Sequence, residues 1–595
     1  MKGSIIMKEH GLFYTMGLVT VTALTMVACG KKSNDNENSA KEASKFPEKM
    51  PVKTSKRGGV VKVALQTDSP FTGIFSDQLQ VTAVDADVAS PGSESLFDTD
   101  DNFRFTDKGP ATLRINRKNK TVTIEVKKGV RWSDGKQVTA KDVEYPYEIL
   151  SNKDTNSQRY SSQFELIKGL KEYHEGKAKS ISGIEMPDGE NGRKVILHFK
   201  QLKPGMYNSG NDYFSEYTAP YHYLKDVPFK KLESSDKIRK KPLYFGPFKL
   251  EKLVRGQSAV WVPNKYYWRG KPKLDKIVYQ VVSPNSSTQA IKSHKFDVVN
   301  VINSQWDQVK NTKKVKFIAE IPLAYWFIGF KLGKWDPKTG KNVMNHKSKM
   351  DNVALRKAIG YAMNVDEVTK HYTQGLTFHI TTFIPPQFGD YFNKNIKGYN
   401  YDVKKANQIL DKAGYKKKGK WRVQPNGKPL KIRFMAKAGD PNQEPIIENY
   451  IQQWHKVGLD VRLLNGRVTE SNTFYDKLNH DDPQVDMFEA GWLLSSEPSA
   501  RGMYWEKGAA NYDRFVSPEN EKLLQEMDSQ KAFDHKYRVK VFHEWQKYMF
   551  DQAYVVPLYN AYQIDAVNSK LTGYSQKPSK QNNGHPLWYK VAYTK

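Results

Sequence analysis

A mixed α/β body divided into two or three domains is what the sequence predicts, and three observations carry that reading. At 595 residues the chain exceeds the size at which one hydrophobic core stops growing. Segments of period-two and helical hydrophobicity alternate along it. A single cysteine excludes a disulfide framework, so stability has to come from buried area, for which 33 Tyr and 12 Trp supply large side chains.

In chain order, Lys2 and Lys8 precede an apolar stretch from Gly11 to Ala28 that ends at Cys29 and Gly30. A run of about 18 apolar residues could just cross a bilayer, so an uncleaved anchor is one reading. The small Ala28 before Cys29 and the abrupt change to Lys31, Lys32 and Ser33 favour a processed export signal instead. The segment Met26-Val27-Ala28-Cys29 resembles a bacterial lipobox, which implies lipidation of Cys29 and loss of residues 1–28. Residues 29–57 are polar and cannot bury enough apolar surface to offset chain entropy; a flexible tether is expected there.

From Gly58 onward, Val61, Val63 and Leu65 alternate with polar or small residues and predict a strand. Thr112 to Arg117 and Thr121 to Lys127 flank Lys118-Asn119-Lys120 as a hairpin. Thr139 with Asp142 forms an approximate capping box for a helix from Ala140, which Pro146 should kink or cut short. Strands are expected at Val195 to Phe199, Phe248 to Val254, Ala259 to Val262 and Ile277 to Val282. Helices follow after residue 350: one capped by Asp351, one capped by Asp402 and stopped by Gly414, and one carrying Ile447, Tyr450, Ile451 and Trp454 that stops at Gly458 before a strand from Asp460.

The net charge of +30 raises the question of nucleic acid, but the lysines are scattered, basic runs are short, and an exported protein is in the wrong place. No nucleic-acid partner is expected. Catalytic motifs fail one by one. His543-Glu544 opens like a zincin motif, yet Lys547 stands where the second histidine belongs, and no nucleophile elbow or phosphate-binding glycine loop occurs. No enzyme activity, cofactor or metal is expected, although a carboxylate pair cannot be recognised from one sequence.

Four blocks resemble the extracellular solute-binding proteins of the oligopeptide, dipeptide and nickel ABC importers, closest to the oligopeptide-binding lipoproteins of Gram-positive bacteria. They are Gly129-Val130-Arg131-Trp132-Ser133-Asp134-Gly135-Lys136; Gly246-Pro247-Phe248 through Asn264-Lys265-Tyr266-Tyr267-Trp268; Leu355-Arg356-Lys357-Ala358-Ile359 through Phe383-Ile384-Pro385-Pro386; and Tyr401-Asp402-Val403 through Ala413-Gly414-Tyr415. Singly, each also reads as a turn or a helix core. Their shared order carries the resemblance.

That resemblance implies a two-lobed, three-domain clamp with a hinge, similar to the periplasmic binding proteins. Lobe I would take 58–95, 206–320 and 557–595, a small domain II would take 96–205, and lobe III 321–556. It also implies an oligopeptide ligand enclosed between lobes, an ABC permease as partner, a monomer, and a lipid-anchored place on the outer face of the cell membrane. Nickel, haem or sugar as ligand is the alternative within the family; a chaperone, adhesin or hydrolase on the same scaffold is the alternative outside it. Asp486-Met487-Phe488-Glu489-Ala490-Gly491-Trp492 is similar to the family's strand leading into the ligand cleft. In many oligopeptide binders an aspartate a few residues later pairs with the ligand's α-amino group. Here Ser495, Ser496 and Glu497 stand in its place, so Glu497 is either the candidate replacement or an ordinary solvated loop carboxylate before Pro498, and Gly491, Trp492, Ser495 and Ser496 complete the candidate site.

Overall fold

The computed structural model describes residues 46–595 except 68–69, 81, 156, 162, 439–441, 509 and 576–584. Cys29, the leader and most of the expected tether lie outside the described residues. Three sheets organise the body. Strand Val60–Gln66 runs parallel to both Lys276–Val282 and Val298–Val301 inside a seven-stranded mixed sheet, which Val315–Glu320 and Gln563–Asn568 extend on one side and Ser258–Pro263 and Phe248–Val254 on the other. A four-stranded antiparallel sheet is built on the hairpin Ala111–Asn116 and Thr121–Val126. A five-stranded sheet takes the order Asp460–Leu463, Lys431–Ala436, Met487–Leu493, Ala324–Phe330, Val555–Pro557.

The seven-stranded body connects to the five-stranded body at two crossings. One follows Glu320, the last residue of its strand, and leads to Ala324; the other leads from Pro557 to Gln563. The buried Asn560 side chain donates to the Pro322 carbonyl at 3.1 Å and ties the two crossings together. Two crossings between separately packed cores are what hinge motion requires.

Local sequence signals account for many of the boundaries. The capping box at Thr139 is complete, and the helix spans Ala140–Ser151. It does not break at Pro146. Proline there removes the amide that would bond the Asp142 carbonyl, but that carbonyl accepts from the Ala219 amide at 3.0 Å instead, so nothing is left unpaired. Asp402 caps Val403–Lys412 as expected, whereas Asn352 rather than Asp351 caps Val353–Tyr361, its side chain accepting from the amides of Ala354 and Leu355. The Trp132-Ser133-Asp134-Gly135 block is a turn. Gly135 adopts φ +96°, and the buried Trp132 indole donates to Asp142 at 3.0 Å, tying the turn to the helix it precedes.

The expected tether over 29–57 ends sooner than its composition implied. Phe46 packs edge-on against Trp306 and Tyr562, Met50 is buried, and Ser55–Lys56 pair with Ala592–Thr594. Partners supplied by distant residues offset the ordering entropy that the segment could not offset alone.

Candidate functional site

Strand Met487–Leu493 is the middle strand of the five-stranded sheet. Its first four residues are buried and its last three emerge, ending with Leu493 at 77% exposure. It pairs with Ala324–Phe330 along its whole length, but with the parallel strand Lys431–Ala436 only as far as Glu489. The Leu494 amide donates to the Leu323 carbonyl at 2.7 Å. Antiparallel alternation therefore turns the peptide groups of Gly491 and Leu493 to the opposite edge, where the parallel strand has already stopped. That edge can take another extended segment.

Two cavities flank the strand. The larger, of about 710 Å³, lies between Trp492, Leu493, Ser495 and Glu497 on one wall and Gln201, Asn211 and Tyr213 on the other. The Trp492 ring is stacked on Tyr512 with centroids 5.6 Å apart, which fixes it as part of the wall. Further round, the Arg501 guanidinium lies 4.0 Å above the Trp505 ring. The smaller cavity, of about 270 Å³, is lined by Glu489, Gly491, Trp326, Tyr559 and Tyr450, together with Asn303 from the seven-stranded body. Gly491 is required there: a Cβ would stand 2.9 Å from the Trp326 indole nitrogen.

The structure thus distributes the candidate residues unequally. Trp492, Ser495 and Glu497 line the larger cavity and Gly491 the smaller. The Ser495 hydroxyl is engaged locally, accepting from the Glu497 amide at 3.3 Å and donating to its carbonyl at 3.1 Å. Ser496 is not part of either lining; its amide packs close to Gly210, where a Cβ would come within 2.9 Å. Glu497 is neither a solvated loop residue nor a free counter-charge. It is 8% exposed and ion-paired with Arg538, which also meets Asp528 at 3.3 Å. Burial pushes the Glu497 carboxyl up, Arg538 pulls it down, and Asp528 pushes it up again.

Arg538 is a residue that sequence reasoning missed, since it stands 41 positions away. Glu489 was passed over as well. Its signal was present: one carboxylate in the otherwise apolar run Met487-Phe488-Glu489-Ala490-Gly491-Trp492. Among the described residues, no group of three or more His, Cys, Asp or Glu side chains is arranged to hold a metal ion.

Comparisons with known proteins bear on the family and the fold. The family model for bacterial extracellular solute-binding proteins, family 5 (middle region), matches residues 109–514. The oligopeptide-binding protein OppA of Lactococcus lactis subsp. lactis (strain IL1403) is 39% identical over 583 residues, covering 95% of this chain and 96% of that protein. The oligopeptide-binding protein AppA of Bacillus subtilis (strain 168) is 24% identical over 96% of this chain and 98% of its own length. The solved structure of lactococcal OppA, complexed with an endogenous peptide in the closed conformation, superposes with a TM-score of 0.79 at 39% identity, covering 90% of this chain and all of that one. With a family model spanning most of its described body and relatives matched nearly end to end, the chain belongs to the family 5 extracellular solute-binding proteins of bacteria.

Proposed function

We propose that this protein captures extracellular oligopeptides between its two lobes and delivers them to the permease of an ABC importer, without transforming them. The open strand edge at Gly491 and Leu493, set against a 710 Å³ cavity, carries the reading. An extended peptide can add there as a strand, with its backbone satisfied by ladder hydrogen bonds and its side chains reaching the two flanking cavities. The relatives named as oligopeptide-binding proteins support peptide as the ligand class. The protein acts as a monomer held at the outer face of the membrane by a lipid on Cys29.

Native mass spectrometry of the full chain purified from cells tests the ligand. A heterogeneous set of co-purifying peptides is the expected result, and a single non-peptide solute at full occupancy would overturn it. Replacing Cys29→Ala tests the anchor. The variant should be shed or left unprocessed in membrane fractionation, and unchanged lipid labelling would refute lipidation at this residue.

A further inference from the structure

The smaller cavity holds a charge that the chain does not neutralise by direct contact. Glu489 is 3% exposed, and its oxygens accept from the Tyr559 hydroxyl at 2.8 Å and from the Gln443 side-chain amide at 2.5 Å. These donors orient it but carry no charge. Among the described residues, no basic side chain reaches within 4.0 Å of it. Lys437 contributes to the lining, yet its ammonium lies 5.8 Å from the ring of Tyr475, which is not part of that lining. Burial holds the Glu489 carboxyl up at about 7, against the pull of Tyr559, Lys437 and Gln443.

A second, independent observation points to a missing ligand group. Tyr450 is fully buried, lines the same cavity, and its hydroxyl has no hydrogen-bond partner. A buried hydroxyl without a partner is unfavourable, and such groups are ordinarily satisfied by protein, water or ligand. The remaining wall is aromatic. Trp326 and Tyr559 stack 5.5 Å apart at 14°, and Gly491 leaves the Trp326 ring the room to stand there. A carboxylate, a phenolic oxygen and aromatic surface share one preference, a cationic group that donates hydrogen bonds.

We propose that this cavity is a specificity pocket for a positively charged N–H group of the bound peptide, with Glu489 as its counter-charge and Tyr450 as a further acceptor. The assignment rests on the reading of the protein as a peptide binder. The group can come from a lysine or arginine side chain or from the peptide's own α-ammonium. The volume of about 270 Å³ admits either. This places a charge requirement on the ligand at the far side of the cleft strand from Glu497, whose own charge is taken by Arg538.

Isothermal titration of the full chain with three alanine-based nonapeptides tests it: one with a central lysine, one with norleucine at that position, and the norleucine peptide N-acetylated. Binding of the lysine peptide about tenfold tighter than norleucine, with that preference falling below about threefold in Glu489→Gln, supports the pocket and identifies a side chain as the source. Equal binding of lysine and norleucine, with about tenfold loss on acetylation in the wild type but not in Glu489→Gln, supports it with the α-ammonium as the source. Tyr450→Phe removes the acceptor without removing any existing hydrogen bond and should reduce whichever preference is found by about threefold. Peptide binding that ignores both changes overturns the pocket while the peptide reading stands. Failure of all three peptides to bind overturns both.

Discussion

Glu489 and Glu497 are two buried carboxylates on the same short stretch of chain, one within the cleft strand and one just past its end, and they are treated differently. Glu497 meets a guanidinium from a helix and shares it with Asp528. Glu489 meets only neutral donors. The first arrangement has its counter-ion within the chain, on Glu497 Oε1, while Oε2 has no hydrogen-bond partner, and it fastens the loop after the strand to helix His535–Gln552. The second has no charged partner in contact and is pulled on only by the more distant Lys437. Burial alone therefore does not distinguish the two carboxylates; the internal counter-ion does.

The largest effect that would break the comparison concerns Arg538. Replacing Arg538→Met strands Glu497 and Asp528 in a site where each is less than a tenth exposed. A loss of about 3–5 kcal/mol in urea-denaturation stability is expected. A loss under about 1 kcal/mol would mean that solvent screens the cluster and that the two glutamates do not differ as described.

Next in size is the pH response at Glu489. Its carboxyl rises from 4.5 to about 7 on folding, so the folded state holds the proton more tightly than the unfolded chain. Stability from this group is full below pH 4.5, falls as pH rises through 7, and then levels off. Wild type should therefore lose up to about 3 kcal/mol relative to Glu489→Gln between pH 4 and pH 8.5. Parallel curves for the two proteins across that range would show a carboxyl that is not held up.

The smallest expected effect sharpens the aromatic wall. Gly491→Ala drives a methyl against the Trp326 ring and should lower stability by about 1–3 kcal/mol. It should also weaken any preference for cationic peptides in titration, because Trp326 has to move. Stability loss with that preference intact would separate the wall from the pocket.

Much of the fold was legible because its signals are local. The Thr139 and Asp142 capping box, the Asp402 cap and the Gly135 turn depend on neighbours within a few residues and were read correctly. That the helix would run on past Pro146 was not, because the amide that satisfies the Asp142 carbonyl comes from Ala219, far along the chain. Residues 46–57 read as tether for the same reason: their partners lie beyond residue 300 and near the C-terminus. In the site, strand Met487–Leu493 was visible as a pattern, and Trp492, Ser495 and Glu497 are among the residues lining the larger cavity. What each carboxylate is paired with was invisible, since pairing is a long-range property that one sequence does not display.

The zipper that joins the chain's ends has a mechanical consequence. Ser55–Lys56 run antiparallel to Ala592–Thr594, which in turn pair with Leu571–Thr572, and the Met50 amide donates to the Tyr574 carbonyl at 2.8 Å. A pull on the N-terminus is thus delivered to the seven-stranded body. The five-stranded body, reached through the crossings after Glu320 and Pro557, hangs outside the load path. Tension applied at Ser55–Lys56 therefore enters the seven-stranded body first and reaches its neighbour along the chain only through those two straps.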